Sequence, residues 1–153
     1  MKTSPLPFVF GLSLAILSLG TSASAAVSHP RLYFTESDID SIRARVQTEP
    51  WKSWYSGNSW AEGIKDTADA LMTQTPGSIS SESAVLTRAS SARTLAFVGW
   101  VENDNAYRDK AVLYLRSGDT GSWPVGQDMT ASEIAVNFAL AYDMTYDRLS
   151  AAD

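Results

Sequence analysis

Cysteine is absent from this 153-residue chain, and histidine occurs only once, as His29. Neither disulfides nor a thiolate metal site can therefore hold the fold, which has to be stabilised by packing. Positive charge is also scarce, since 12 Lys and Arg stand against 17 Asp and Glu and give a formal net charge of −5 at pH 7. There is no basic run and no interleaving of basic with aromatic residues, so nothing indicates nucleic acid or an anionic membrane surface as a partner.

The sequence also lacks a hydrophobic run of membrane-spanning length. Leu6 to Leu19 is mostly apolar, but proline and glycine interrupt or bound it, and a transmembrane helix needs about 20 apolar residues. Lys2 precedes this run and Ala23-Ser24-Ala25 follows it, which is the three-part pattern of a secretory signal peptide. We therefore predict that residues 1–25 are a signal peptide, that the exported chain begins at Ala26, that it is secreted or periplasmic, and that it has no membrane contact after cleavage.

No stretch alternates with a period of two over a useful length, so the sequence predicts an all-α fold. Apolar residues instead recur at helical spacing in five segments, bounded by capping residues, prolines and turns. These segments run from Thr35 to Val46, from Pro50 to about Leu71, from about Ser81 to Val101, from about Asn105 to Leu115, and from Thr130 to Tyr142. The third and fourth should form an αα-hairpin.

For two of these predicted helices, the second and the last, the sequence also predicts continuity or burial. The second is taken as continuous despite Gly57 and Gly63. It carries an aromatic cluster of Trp51, Trp54, Tyr55 and Trp60, which is suited to stacking on sugar rings, but at helical spacing most of the cluster should lie in the core. The last begins with a capping box of Thr130 and Glu133 and is apolar nearly all round, so it should be buried on every side.

The chain ends on "LSAAD", in which Ser150 and Asp153 are residues that begin a helix. The body of that helix is missing, and the preceding apolar helix needs neighbours to cover it. We therefore predict that residues 26–153 are the N-terminal part of a larger helical domain whose missing C-terminal part completes it. The alternative is a frayed tail after a complete small bundle.

A loop rich in Gly, Ser and Asp, from Ser117 to Asp128, supplies the candidate substrate-binding residues. Trp123 lies in its middle, and an aromatic side chain in such a loop is a candidate for stacking on a sugar ring. Gln127 and Asp128 share the loop and are candidates for polar contacts with the same ligand, although Asp128 can also support the start of the following helix.

Other residues capable of chemistry have structural explanations that we prefer. Asp143 and Asp147 are spaced as an acid–base pair or a metal site would require, but carboxylates more often accept hydrogen bonds from backbone or pair with cations such as Arg148. His29, beside Pro30, suits an N-terminal strap better than a catalytic base. Four tyrosines fall on helical stripes as core residues: Tyr107, Tyr114, Tyr142 and Tyr146. We assign no catalytic residue, metal or cofactor.

Three segments resemble the start of the heparinase II/III-like and alginate-lyase-like polysaccharide lyases. They are "HPRLYFTESDIDSIRARV", "RTLAFVGWVENDNAYRDKAVLYL" and "NFALAYDMTYDRLSAAD", and they cover nearly all of the chain after the signal peptide. The opening "HPRLYFT" and the closing "AYDMTYDRLS" are the most specific parts, whereas patterns like the middle one occur in many helical solenoids.

The resemblance implies an incomplete (α/α) toroid built from helical hairpins and a parent enzyme that cleaves a uronate-containing, acidic polysaccharide by β-elimination. Such a reaction needs a base for the C5 proton, a side chain that neutralises the uronate carboxylate, and an acid for the C4 oxygen. The family's residues for these roles lie beyond the end of this chain, so we expect residues 26–153 alone to be inactive. Two alternatives remain open: an (α/α)-barrel glycoside hydrolase with opposed carboxylates, and a non-enzymatic helical module that binds carbohydrate or protein.

Overall fold

The computed structural model describes residues 28–116 and 128–150, and the predicted signal peptide lies outside these ranges. Within them the chain forms α-helices and short 3-10 helices at Glu36–Asp38 and Tyr146–Arg148, and no strand. The all-α prediction is therefore confirmed. The α-helices are α1 (Ile39–Arg45), α2 (Trp51–Ser56), α3 (Ile64–Met72), α4 (Glu82–Glu102), α5 (Asn105–Arg116) and α6 (Asp128–Thr145).

An extended segment, residues 28–35, precedes α1 and is called the strap below. It ends at Thr35, whose backbone N–H and hydroxyl both donate to the carboxylate of Asp38, at 2.8 and 2.7 Å. The predicted helix start at Thr35 is thus confirmed, with a first turn of 3-10 type. Farther along, the guanidinium of Arg43 donates to the carbonyl oxygens of Trp100 and Val101, and these bonds fix α1 against the C-terminal end of α4.

The prediction of one continuous second helix is wrong. Gly57 ends α2 with a φ of +77°, a conformation that side-chain-bearing residues rarely adopt, and an antiparallel bridge joins Asn58 to Ala61 before α3 begins. The N–H of Gly63 then donates to the carboxylate of Asp66, which caps the new helix. Both glycines thus act as breaks, because their backbones approach each other too closely for a side chain at Gly63.

Helix α4 is the centre of the fold and contacts α1, α3, α5 and α6. Small buried residues on its surface, including Ala92 and Ala96, allow these helices to approach closely, and Leu95 is fully buried among them. At its C-terminal end Asn103 adopts a left-handed conformation and turns the chain directly into α5. The predicted αα-hairpin of α4 and α5 is confirmed.

Helix α6 differs from its prediction in both its start and its burial. It begins at Asp128, so Thr130 lies inside the helix rather than capping it, because a capping motif is a weak local signal that helix packing overrides. Residues on one stripe, including Ile134 and Met144, are buried, whereas Val136 and Tyr142 on another are exposed. The expectation of burial on every side is therefore wrong for the described residues. Neither α6 nor another helix in the described ranges is both long and apolar enough to cross a membrane.

Candidate functional site

The three predicted substrate-binding residues lie at the edge of what the structure describes. Trp123 and Gln127 are outside the described residues. Asp128 is the first residue of α6, and its side chain is likewise outside them. Sugar contact by these residues stays a prediction.

Asp143, on α6, binds the strap through a group of hydrogen bonds. Its carboxylate lies 2.6 Å from Nδ1 of His29 and accepts hydrogen bonds from the backbone N–H groups of Arg31 and Leu32, at 2.7 and 2.8 Å. Burial raises the pKa of Asp143, but the two amides and the His29 ring outweigh burial and leave that pKa below its usual value. Tyr146 stacks on the imidazole with ring centroids 4.1 Å apart. His29 therefore has the oriented carboxylate partner that a catalytic base needs, but this partner also holds the strap in place.

Asp147 makes a separate interaction, so the two carboxylates do not form an acid–base pair. It pairs with Arg108, a buried residue of α5 whose guanidinium also lies 4.5 Å from the ring centroid of Trp100. The carbonyl oxygen of Met144 accepts hydrogen bonds from Arg108 and from the indole of Trp100, which caps the end of α6. The structural explanation for both aspartates is supported, although the expected pairing with Arg148 is wrong because that arginine bonds to Asp109 at 2.7 Å.

The tyrosines predicted as core residues divide into two groups. Tyr114 is buried and Tyr107 half-buried, as expected. Tyr142 and Tyr146 are exposed, and they contact each other edge-to-face at the outer side of α6. The prediction that Tyr142 and Tyr146 are core residues is therefore wrong, since both lie at the surface.

The aromatic cluster near α2 is mostly exposed, which contradicts its predicted place in the core. Only Tyr55 is buried, and its hydroxyl donates to Glu102 at 2.6 Å. Trp54 and Trp60 are 71% and 93% exposed, and Trp51 about half. The reason is the break at Gly57, because a helix of six residues turns only one narrow face to the core.

The exposed aromatics border a groove formed by the strap, α1, α2, the start of α3, α4 and α6. It consists of two adjoining cavities of about 370 and 240 Å³ that share Tyr33, Ile64 and Phe97. The larger cavity extends to Trp51, Trp54 and Arg45, and the smaller to Arg93 and Thr94. We call this the aromatic groove. Cavities that bind small ligands in proteins have similar volumes.

Polar side chains continue the aromatic groove beyond Ile64. An adjacent hollow there is lined by Trp54, by hydroxyl groups of residues such as Ser53 and Thr67, and by Glu62. In the described ranges no three His, Cys, Asp or Glu residues come together as metal ligands. The groove therefore offers aromatic surfaces, hydroxyl groups and guanidinium groups to a ligand.

Sequence reasoning missed three groove residues, Tyr33, Arg45 and Arg93, and it named Trp54 as a residue suited to sugar stacking but preferred a place in the core. Helical spacing assigned Trp54 to the core, and nothing in the local pattern distinguished the two arginines from other surface cations. Gly57 was the available signal, because a helix that ends there cannot bury every aromatic residue that precedes it.

Comparisons with protein-family models, with curated proteins and with solved structures return no match for this chain.

Proposed function

We propose that this chain is the N-terminal part of the (α/α) toroid of a secreted polysaccharide lyase, which cleaves uronate-containing polysaccharide by β-elimination. One observation carries the proposal. The two segments with the most specific resemblance to that family, "HPRLYFT" and "AYDMTYDRLS", contact each other through His29, Asp143 and Tyr146. Segments that bond to each other across 114 positions belong to one structural unit, as the proposal requires of them.

The helical arrangement supports the same proposal. The hairpin of α4 and α5 packs against α6, and further hairpins added in the same manner would build a toroid. Val136 and Tyr142 on the exposed stripe of α6 suit contact with such a hairpin.

The proposal assigns none of the reacting groups to this chain. On this proposal the base, the group that neutralises the carboxylate and the acid belong to helices that follow Asp153. On the same proposal His29 has a structural role, since its Nδ1 lies against Asp143 and its ring is stacked on Tyr146, and both contacts fix the strap.

The test is an assay of two purified proteins on uronate polysaccharides such as alginate, heparan and chondroitin-type chains. One protein contains residues 26–153 alone, and the other is the longer product of the same gene. Ultraviolet absorbance detects the C4–C5 double bond that elimination creates and hydrolysis does not.

We expect unsaturated products from the longer protein only. New reducing ends without that absorbance would favour the (α/α)-barrel hydrolase instead. A gene that stops at Asp153, or a longer protein that binds without cleaving, would favour the non-enzymatic module. Unsaturated sugar made by residues 26–153 alone, and abolished by His29→Ala, would contradict the place of the active site.

A further inference from the structure

We propose that the aromatic groove binds a short stretch of acidic polysaccharide, with sugar rings stacked on Trp54 and Tyr33 and uronate carboxylates bound by Arg45 and Arg93. The inference deepens the proposed function and rests on it for the choice of a uronate among anionic sugars. It assigns substrate binding to a surface of which the sequence indicated only the aromatic cluster, in addition to the predicted contacts of Trp123, Gln127 and Asp128.

The first argument is the exposure of the aromatic rings. Tyr33 and Trp54 are 70% and 71% exposed although both line the same cavity, so they present wide apolar faces to solvent. Tyr33 contacts Phe97 edge-to-face, at 6.5 Å between ring centroids, and Trp54 contacts Trp51 in the same manner and at the same separation. Rings fixed in this way cost little entropy on binding, and a pyranose ring has apolar C–H faces that match them.

The second argument is charge. Arg43, Arg108 and Arg148 each pair with an aspartate, whereas within the described ranges Arg45 and Arg93 form no ion pair. In a chain with a net charge of −5, unpaired guanidinium groups beside the same groove select an anion. A guanidinium binds a carboxylate through parallel hydrogen bonds, which is stronger and more directional than contact with a neutral hydroxyl.

The third argument separates this ligand from other occupants. An apolar segment of protein would leave both guanidinium groups without partners, and a neutral glycan would not use them. Hydroxyl groups at Ser53, Thr67 and Thr94 suit a ligand that is itself rich in hydroxyls. Glu62 borders the polar hollow, so the anionic groups of the ligand should lie on the Arg45 and Arg93 sides.

The test is a calorimetric titration of residues 26–153, and of the longer product of the same gene, with purified oligouronates and with the same oligosaccharides after reduction of their carboxyl groups. We expect binding of the oligouronates and much weaker binding of the reduced sugars. Trp54→Ala and Arg93→Gln should each weaken binding about tenfold or more, because each removes one of the directional contacts. Circular dichroism should show unchanged helix content, since both side chains are exposed.

Matched controls are available on the same surface. Trp60→Ala removes a more exposed tryptophan, and Lys52→Gln removes a cation from α2; neither residue lines the groove, so binding should not change. Absence of oligouronate binding, or binding that Trp54→Ala and Arg93→Gln leave intact, would overturn the proposal. Loss of binding in the longer protein would also overturn it, because a later segment would then occupy the groove.

The outcomes keep this inference distinct from the proposed function. If binding depends on the groove but the parent enzyme releases saturated products, the groove is a binding site and the proposed lyase activity is refuted. If the parent enzyme releases unsaturated products, and Trp54→Ala and Arg93→Gln change neither affinity nor KM, the lyase activity is supported and binding in the groove is refuted.

Discussion

His29 and Asp143 lie 114 positions apart in the sequence and 2.6 Å apart between Nδ1 and Oδ1. The same carboxylate holds the amides of Arg31 and Leu32, the two residues that precede Tyr33. Asp143 therefore fixes the backbone that places Tyr33 at the edge of the aromatic groove. A buried carboxylate that resembles half of a catalytic pair in the sequence thus anchors the strap beside the aromatic groove.

Asp143→Ala should destabilise the fold by roughly 3 kcal/mol, because it leaves two backbone amides and one imidazole without their acceptor. Asp143→Asn should cost less, since one amide oxygen still accepts. Urea unfolding followed by circular dichroism measures both. Equal stability of wild type and Asp143→Ala would show that the strap is not held by this carboxylate.

The stability that Asp143 provides should depend on pH. Its pKa is lower in the folded state than the value of about 3.9 for an unfolded aspartate, so its contribution is complete above about pH 5 and is lost as the pH falls below about 4. The difference in free energy of unfolding between wild type and Asp143→Asn should therefore shrink over that range. Asp38 and Asp69 also have lowered pKa values, but they are present in both proteins and cancel in the comparison. A constant difference from pH 6 to about pH 3 would contradict the assigned role.

The fold could be predicted largely from the sequence wherever one local signal sufficed. Thr35 with Asp38, and Ser81 before α4, mark helix starts that the structure retains. Prediction failed where the outcome depended on tertiary packing. Gly57 and Gly63 were tolerable within a helix by spacing alone, and only their close approach in space shows why the chain breaks there.

The candidate site was less predictable than the fold. Asp143 and Asp147 share a helix end and a spacing, yet one turns to the strap and the other to Arg108 on α5. Arg45 and Arg93 come from different helices, and Tyr33 from the strap, so no local pattern could bring them together. Long-range contacts of this kind are set by packing, which periodicity does not encode.

Gly63→Ala should destabilise the protein by about 1–3 kcal/mol or more, because the new methyl group would overlap the backbone of Tyr55 and Gly57 and neither can move without disturbing the turn. Gly77→Ala is the matched control, since nothing lies near its added methyl group. Thermal unfolding of the two variants should differ clearly. A Gly63→Ala protein as stable as Gly77→Ala would mean that the turn between α2 and α3 is not packed as described.

Tyr55→Phe should cost about 1 kcal/mol near neutral pH, because it removes the hydrogen bond to Glu102 while the buried ring remains. The variant should also change the alkaline stability. Burial, the hydrogen bond and the charge of Glu102 raise the pKa of Tyr55 well above 10, so the folded state resists ionisation that the unfolded state permits, and wild type loses stability as the pH rises past about 10.

Tyr55→Phe lacks this ionisation, so the wild-type advantage should diminish and then reverse in unfolding experiments between about pH 9 and 11. Tyr107 and Tyr114, whose pKa values are also raised, remain in both proteins and do not affect the difference. Glu102→Gln serves as the control, because the acceptor stays while its charge is removed, and it should retain the alkaline loss in weaker form. Parallel stability profiles for wild type and Tyr55→Phe would show that the Tyr55 hydroxyl is open to solvent rather than buried against α4.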